Sequence, residues 1–263
     1  MTNRIARLDS RALIRVTGPD ARSFLHNLLT QDVETLTPGS LRFGAMLSPP
    51  GRLLFDLFLW GEDDGVVLDV AAERREALLS RLSMYRLRAQ VEIEADDRPV
   101  FASWPGVAEG FVVDPRLLAL GGRTLGQHAA DADEDDWDTH RLAVGVPDPT
   151  KDGGSDSAYP IEANFDLLNG IDFQKGCFVG QETTSRMKRR GEIKKRMLPL
   201  SFDGPAPAPG AEVLNGDLRV GEVLTGRDGS AMALLRLDRL AGNLSVEGRI
   251  VTPHRPDYFP AMG

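Results

Sequence analysis

Two hydrophobic periods take turns along the first hundred residues, and their order limits the folds open to this chain. Residues 11–16 alternate, with Ala12, Ile14 and Val16 on one face and Arg11, Leu13 and Arg15 on the other, as in a half-buried strand. Gly18-Pro19 stops it, Pro19 suiting a first helical turn, and Phe24, Leu25, Leu28 and Leu29 then recur at helical spacing. Residues 41–47 and 53–60 read as two strands joined by the turn Ser48-Pro49-Pro50-Gly51. A strand at 66–70, a helix through Leu78, Leu79, Leu82 and Tyr85, and short strands at 91–94, 100–102 and 111–113 follow. The order β-α-β-β-β-α-β fits two-layer α+β packing rather than a regularly alternating wound sheet.

Further on, a short helix is expected around residues 137–142, and the Gly, Ser and Asp of residues 148–157 predict a mobile loop. The texture changes after Pro199. Pro205, Pro207 and Pro209 make a stiff connector, and short apolar runs then alternate with turns at Gly216, Gly226, Gly229 and Gly248. That pattern predicts a small C-terminal β-barrel. The division expected is residues 1–196 for the α+β region and 197–263 for the barrel.

A chain of 263 residues can bury a large core, and 41% hydrophobic with 27% charged content is ordinary for a globular protein. No apolar run nears the roughly 18 residues that cross a bilayer, and no apolar signal core follows Met1-Thr2-Asn3-Arg4. A single cysteine excludes an internal disulfide and fits a reducing compartment, so the cytoplasm is expected. The net charge of −8 opposes general affinity for nucleic acid or anionic membranes. Its distribution is uneven. Six acids between Asp131 and Asp138 read as a solvated loop. Arg186, Lys188, Arg189, Arg190, Lys194, Lys195 and Arg196 crowd one later segment, and they repel one another unless an acidic small-molecule tail, an RNA backbone or an acidic partner answers them.

The lone cysteine lies in Phe173-Gln174-Lys175-Gly176-Cys177-Phe178-Val179-Gly180-Gln181-Glu182. Gly176 is expected to allow a backbone geometry that a side chain opposes, and Gly180 to admit a close surface or ligand. Helix formers after Gly180 put Cys177 at or just before a helix N-terminus, where the dipole, Lys175 and Arg186 favour thiolate. Such a thiolate is a nucleophile or a metal ligand, and one ligand cannot hold an iron–sulfur cluster by itself. The alternative is a buried cysteine serving as a small hydrophobe. His26, His128, His140 and His254 show no zinc spacing, and no resident metal is expected. Neither a serine-hydrolase elbow nor a phosphate loop is present in the sequence.

The run Lys175-Gly176-Cys177-Phe178-Val179-Gly180-Gln181-Glu182 resembles the K-G-C-[FY]-x-G-Q-E motif of the YgfZ family of folate-binding proteins, which are similar in fold to the glycine-cleavage aminomethyltransferase (GcvT, the T-protein). Arg186 and Gly191 stand where that family has its following arginine and glycine. Pro160-Ile161-Glu162-Ala163-Asn164 and Lys194-Lys195-Arg196 look closest to the branch of the mitochondrial-type iron–sulfur assembly factor. Phe24-Leu25, Gln31-Asp32-Val33 and Gly51-Arg52 to Asp56 extend the resemblance, which covers residues 8 to 200 or so. It implies two intertwined α+β subdomains and a C-terminal barrel around a central cavity for tetrahydrofolate. Trp137 aligns with one family tryptophan, whereas the second falls at Arg11. Asp56 matches the second of two adjacent acids in the T-protein, with Phe55 at the first, and Glu162 occupies another acid position. By that resemblance Asp56 and Glu162 face the pterin, Trp137 supplies a slab for it, and Arg141 takes the glutamate tail. Each has a plain structural alternative: packing for Trp137, a strand end for Asp56, a helix first turn for Glu162, and balance of the neighbouring acids for Arg141.

Three functions follow as expectations. The resemblance favours a tetrahydrofolate-binding accessory factor for [4Fe–4S] proteins, including those that modify tRNA, with Cys177 central and iron–sulfur client or assembly proteins as partners. A folate-dependent aminomethyl transferase is the alternative, weakened by Phe55 and by a cysteine motif it does not need. An RNA-binding module using residues 186–196 is the third; tRNA contact is opposed by the net charge and by the lack of interleaved aromatics.

Overall fold

In a computed structural model, which describes residues 2–153, 156–191 and 193–260, the chain weaves between two sheets before it closes a barrel. It begins with β1 (Arg4–Arg7), β2 (Arg11–Thr17), α1 (Ala21–Leu28), β3 (Leu41–Leu47), β4 (Leu53–Glu62) and β5 (Gly65–Ala71). Next come α2 (Arg75–Arg86), β6 (Glu92–Asp96), β7 (Val100–Trp104), β8 (Val112–Val113), β9 (Gly122–Leu125), α3 (Glu134–Val144) and α4 (Gln181–Arg190). The remaining strands are β10 (Lys195–Ser201), β11 (Glu212–Asn215), β12 (Leu218–Arg227), β13 (Ser230–Arg236), β14 (Leu244–Val246) and β15 (Arg249–Pro253). One sheet has the order β1-β7-β9-β8 and the other β3-β4-β5-β2-β6; the last six strands close as β10-β13-β12-β11-β14-β15.

The exchange of strands interlocks the two subdomains. β1 pairs with β7, Arg4 opposite Trp104, whereas β2 joins β5 and β6 in the other sheet. The five-stranded sheet is covered on both faces. Ile14 and Val16 pack with Leu25, Leu78 and Leu82 from α1 and α2. Leu13, on the opposite face, joins Phe58, Val100 and Trp137 in a second core that continues through Phe165 and Phe178 to Met197 and Met232 of the barrel. Thus β2 is covered on both sides at Arg11 and Leu13, where the other sheet lies over that face, while Arg15 further along stays partly exposed.

Two sequence expectations change for physical reasons. The acidic run at 131–138 is the start of α3, not a solvated loop: Asp133 accepts from the Asp136 N–H at 2.8 Å, the Asp136 carboxylate faces back to the Asp133 N–H, and Glu134, Asp135 and Asp136 fill the first turn. Carboxylates suit the positive end of a helix. The described part of 148–157 is pinned rather than mobile, since fully buried Asp152 accepts from the Asp148 N–H at 2.8 Å and takes both outer nitrogens of Arg141. Residues 154 and 155 of that stretch lie outside the described residues. In the barrel, β10 begins inside the basic run, and Arg196 turns inward to Asp166 at 2.8 Å while its neighbours stay exposed.

Candidate functional site

Cys177 sits on a loop that is fastened on both sides and left open in the middle. Upstream, the Asp172 N–H donates to the Thr30 carbonyl at 2.9 Å, and the Asp172 carboxylate accepts from the N–H groups of Gln174 and Lys175. Thr30 is fully buried and ties Gly170 to Ala45 through its hydroxyl. Lys175 sends its ammonium to the carbonyls of His26 and Leu29, the last at 2.7 Å, and so caps the end of α1. Burial pushes that ammonium's pKa down to about 8. Its hydrogen bonds go to these carbonyls, not to the sulfur. Downstream, Phe178 is buried in the shared core, worth about 2 kcal/mol by its apolar area.

The helix α4 starts at Gln181, four residues after the cysteine, with Gly180 as its N-cap. Gly180 has φ +80°, and a Cβ there would come within 2.7 Å of the Ser48 carbonyl and 2.9 Å of Gly51 Cα. The close surface expected at Gly180 is thus the turn between β3 and β4. Gly176 differs from its expectation: a Cβ would meet only His26 Nε2, at 4.0 Å, and its φ is not in the left-handed region. No backbone constraint needs glycine there; the position leaves space beside the cysteine. Cys177 is exposed, which sets aside the small-hydrophobe alternative, and its sulfur makes no hydrogen bond among the described residues. Glu182 lies in the first turn of α4, where its charge suits the dipole, and Arg186 is exposed with no ion pair among the described residues.

The residues expected to hold folate lie elsewhere. Asp56, Trp137 and Arg141 line one central cavity together with Arg11, Phe58, Arg116, Arg123 and Asp148. Glu162 is not among its walls; its carboxylate accepts from the Tyr159 N–H at 2.9 Å, and its carbonyl from the Met197 N–H of β10. The cavity is crowded by charge that answers itself. Arg11, standing where the family has a tryptophan, binds Asp56 at 2.9 Å and Asp69 at 2.6 Å. Arg123 takes the other Asp69 oxygen at 2.9 Å and stacks 3.8 Å from the Phe58 ring centre. Burial pushes the Asp114 carboxyl up, but Arg116 and Arg123 outweigh it and hold that group below the usual range. Arg141 spends its guanidinium on Asp138 at 2.7 Å and on Asp152 at 2.8 and 3.0 Å. Burial pushes Asp152 up to about 6 even so. Trp137 packs against Trp104, with ring centres 5.6 Å apart.

Tetrahydrofolate does not fit these residues as they stand. The space left is about 20 Å³, room for one water, whereas sites for ligands of that size run to several hundred Å³. The adjoining opening of about 450 Å³ is walled by Ser10, Arg11, Ala71, Ala72, Glu73, Asp148, Thr150 and Lys151 and offers no aromatic slab. The pterin platform expected from Trp137, Asp56 and Glu162 is therefore not assembled, and Arg141 already spends four of its five N–H donors on Asp138, Asp152 and the Val146 carbonyl. A calorimetric titration with tetrahydrofolate is expected to give no saturable heat up to about 1 mM; a micromolar isotherm would show that the ionic cluster opens. Sequence reasoning missed Arg11, Asp69, Asp114, Arg116, Arg123 and Asp152. The one available signal was the arginine at position 11 in place of a tryptophan.

An aminomethyltransferase architecture with a filled central cavity and an exposed cysteine loop defines the class. The crystal structure of glycine cleavage system aminomethyltransferase T from Bartonella henselae matches 98% of this chain and 86% of that one, with a TM-score of 0.78 at 16% identity, which shows the fold. Residues 194–261 match the family described as CAF17, C-terminal beta-barrel domain. The human protein named iron-sulfur cluster assembly factor IBA57, mitochondrial, is 32% identical over 97% of this chain and 85% of its own length. A homolog of the same name from Neurospora crassa is 30% identical over 77% of this chain and 55% of its own. The chain belongs to the IBA57 family. These relatives are named as mitochondrial, which overturns the cytoplasmic expectation. The single cysteine could not separate two reducing compartments.

Proposed function

We propose that this chain serves the assembly of iron–sulfur proteins by presenting the Cys177 thiolate as one ligand to cluster cargo that a partner protein holds with its remaining ligands. The observation that carries this reading is an exposed sulfur on a loop anchored at Asp172, Lys175 and Phe178, with open space at Gly176. The names of its relatives support the class of process. One sulfur cannot complete a cluster, so handover between partners follows from ligand number alone. The clients are [4Fe–4S] enzymes, among them enzymes that modify tRNA. No step passes through folate, and aminomethyl transfer has no open site in the central cavity.

Deletion of the protein tests this. Cells that lack it are expected to lose [4Fe–4S] dehydratase activity while the polypeptide remains, and the wild-type chain restores it. Full dehydratase activity in the deletion strain would end the reading.

A further inference from the structure

The space at Gly176 has a second polar atom turned toward it. Apart from the chain neighbours of Gly176, the one described atom within 4.0 Å of where its Cβ would stand is His26 Nε2. His26 sits in the last turn of α1, and its side chain is only 13% exposed. Its contacts run through the other ring nitrogen. Nδ1 lies 3.1 Å from the Asp32 carboxylate and 3.3 Å from the Val33 N–H. The carboxylate is nearer, charged and able only to accept, so Nδ1 carries the ring proton and Nε2 keeps its lone pair. Nε2 has no hydrogen-bond partner among the described residues. Asp32 is itself held in place, accepting from the Glu34 N–H at 2.9 Å and from the Thr35 hydroxyl. An imidazole steadied by a carboxylate at one nitrogen and open at the other is the usual presentation of a metal-ligating histidine.

The ring and the thiol ride on one rigid body. The Lys175 ammonium bonds the carbonyls of His26 and Leu29, and the Asp172 N–H bonds that of Thr30, so the cysteine loop is tied to the end of α1 on which His26 stands. The Cys177 sulfur lies near enough to that ammonium for its charge to bear on it. A metal–nitrogen bond of about 2.0–2.1 Å would take about half of the gap at Gly176, and a side chain there would crowd it.

We propose that His26 Nε2 is a second ligand that this chain offers to cluster cargo, so that one iron is taken between the imidazole and the Cys177 thiolate while the partner holds the rest. The inference deepens the proposed function and rests on its reading of that thiol. Only ligands are exchanged: Nε2 lends its lone pair, the thiol releases its proton to solvent, and no electron is transferred. Thiolate and imidazole both suit iron, and imidazole ligates cluster iron in Rieske centres. The described residues contain no group of three His, Cys, Asp or Glu side chains placed to hold a metal. Two ligands grip the cargo without retaining it, which suits transfer rather than storage.

The test titrates the full-length, reduced, metal-free chain with Co²⁺ as the probe. The wild-type adduct is expected to show a sulfur-to-cobalt charge-transfer band in absorption and coupling to an imidazole nitrogen in pulsed electron paramagnetic resonance. Both signals are read in the wild-type chain and need no variant to fold. His26→Gln should weaken cobalt binding at least about tenfold, about 1.4 kcal/mol, and remove the nitrogen coupling while the sulfur band survives at saturating cobalt. His26→Cys, which supplies another ligand at the same place, should recover the affinity with a stronger sulfur band. Gly176→Val, which fills the gap and alters neither ligand, should weaken binding as His26→Gln does. A sulfur band without nitrogen coupling, an affinity unchanged in His26→Gln, or no sulfur band in the wild type would each overturn the inference. The first two results leave Cys177 as a single ligand, and the reading of that thiol fails separately, if Cys177→Ala retains full iron–sulfur support.

Discussion

Cys177→Ala is expected to reduce [4Fe–4S] dehydratase activity in a deletion strain to the level of the deletion itself, while the stability of the purified protein changes by no more than about 0.5 kcal/mol. The two halves of this result have separate physical causes. Stability is spared because the sulfur is exposed and makes no hydrogen bond among the described residues, and because Asp172, Lys175 and Phe178 hold the loop through their own contacts. Function is lost because no other cysteine exists in the chain to replace the ligand. Cys177→Ser sharpens the comparison. It keeps size and polarity, but a hydroxyl stays protonated at neutral pH where a thiol can ionise, so serine is expected to fail almost as fully as alanine. Unimpaired complementation by the alanine variant would leave the exposed loop without a chemical role.

The second large effect is one of stability. Asp69→Asn is expected to destabilise the protein by about 3–5 kcal/mol in urea denaturation. Asp69 is fully buried and divides its two oxygens between Arg11 and Arg123. Removing its charge leaves Arg123 with only Asp114, at 3.8 Å, and Arg11 with only Asp56, in a region with almost no room for water. The double variant Asp69→Leu/Arg123→Met should be less damaged than the sum of its parts, since each single change removes one half of the same buried ion pair. At the surface, Asp136→Ala, which breaks the Arg4 pair and the reciprocal half of the capping box while Asp133 stays as the cap, should cost only about 1 kcal/mol. The depressed Asp114 carboxyl contributes stability above the unfolded pKa that is lost as pH falls through its folded value, so acid should unlock the same region. An Asp69→Asn variant as stable as the parent would mean that the cluster is hydrated and mobile.

Local pattern carried the reader a long way in the sheets. The strands at 41–47 and 53–60, their Pro-Pro-Gly turn, and the helix over Leu78 and Leu82 all form where hydrophobic period places them. So does a C-terminal barrel from glycine-spaced runs. The motif around Cys177 was legible because its residues are contiguous. What local pattern could not show is which second surface covers a given face. Arg11 reads as the exposed side of a strand until the other sheet lies over it, and its partners Asp56 and Asp69 are 45 and 58 residues away. β1 and β9 were invisible for the same reason, being short runs that become strands only beside β7. The expected folate residues came from a family pattern. At Arg11 this chain departs from it, and that one side chain sits where the family has its second tryptophan.

The route of the backbone between the sheets governs how the protein can be made. β1 leaves the ribosome well before its partner β7, which follows about a hundred residues later, with β9 later still. The opening strand must wait unpaired while the sheet built on β2 to β6 assembles, so no N-terminal fragment ending before β9 can bury the apolar faces it exposes. The barrel faces no such delay, since its six strands are consecutive and close on one another. Cleavage near residue 194 would separate the six consecutive barrel strands from the rest, and nascent chains that end before about residue 125 are those most in need of a chaperone.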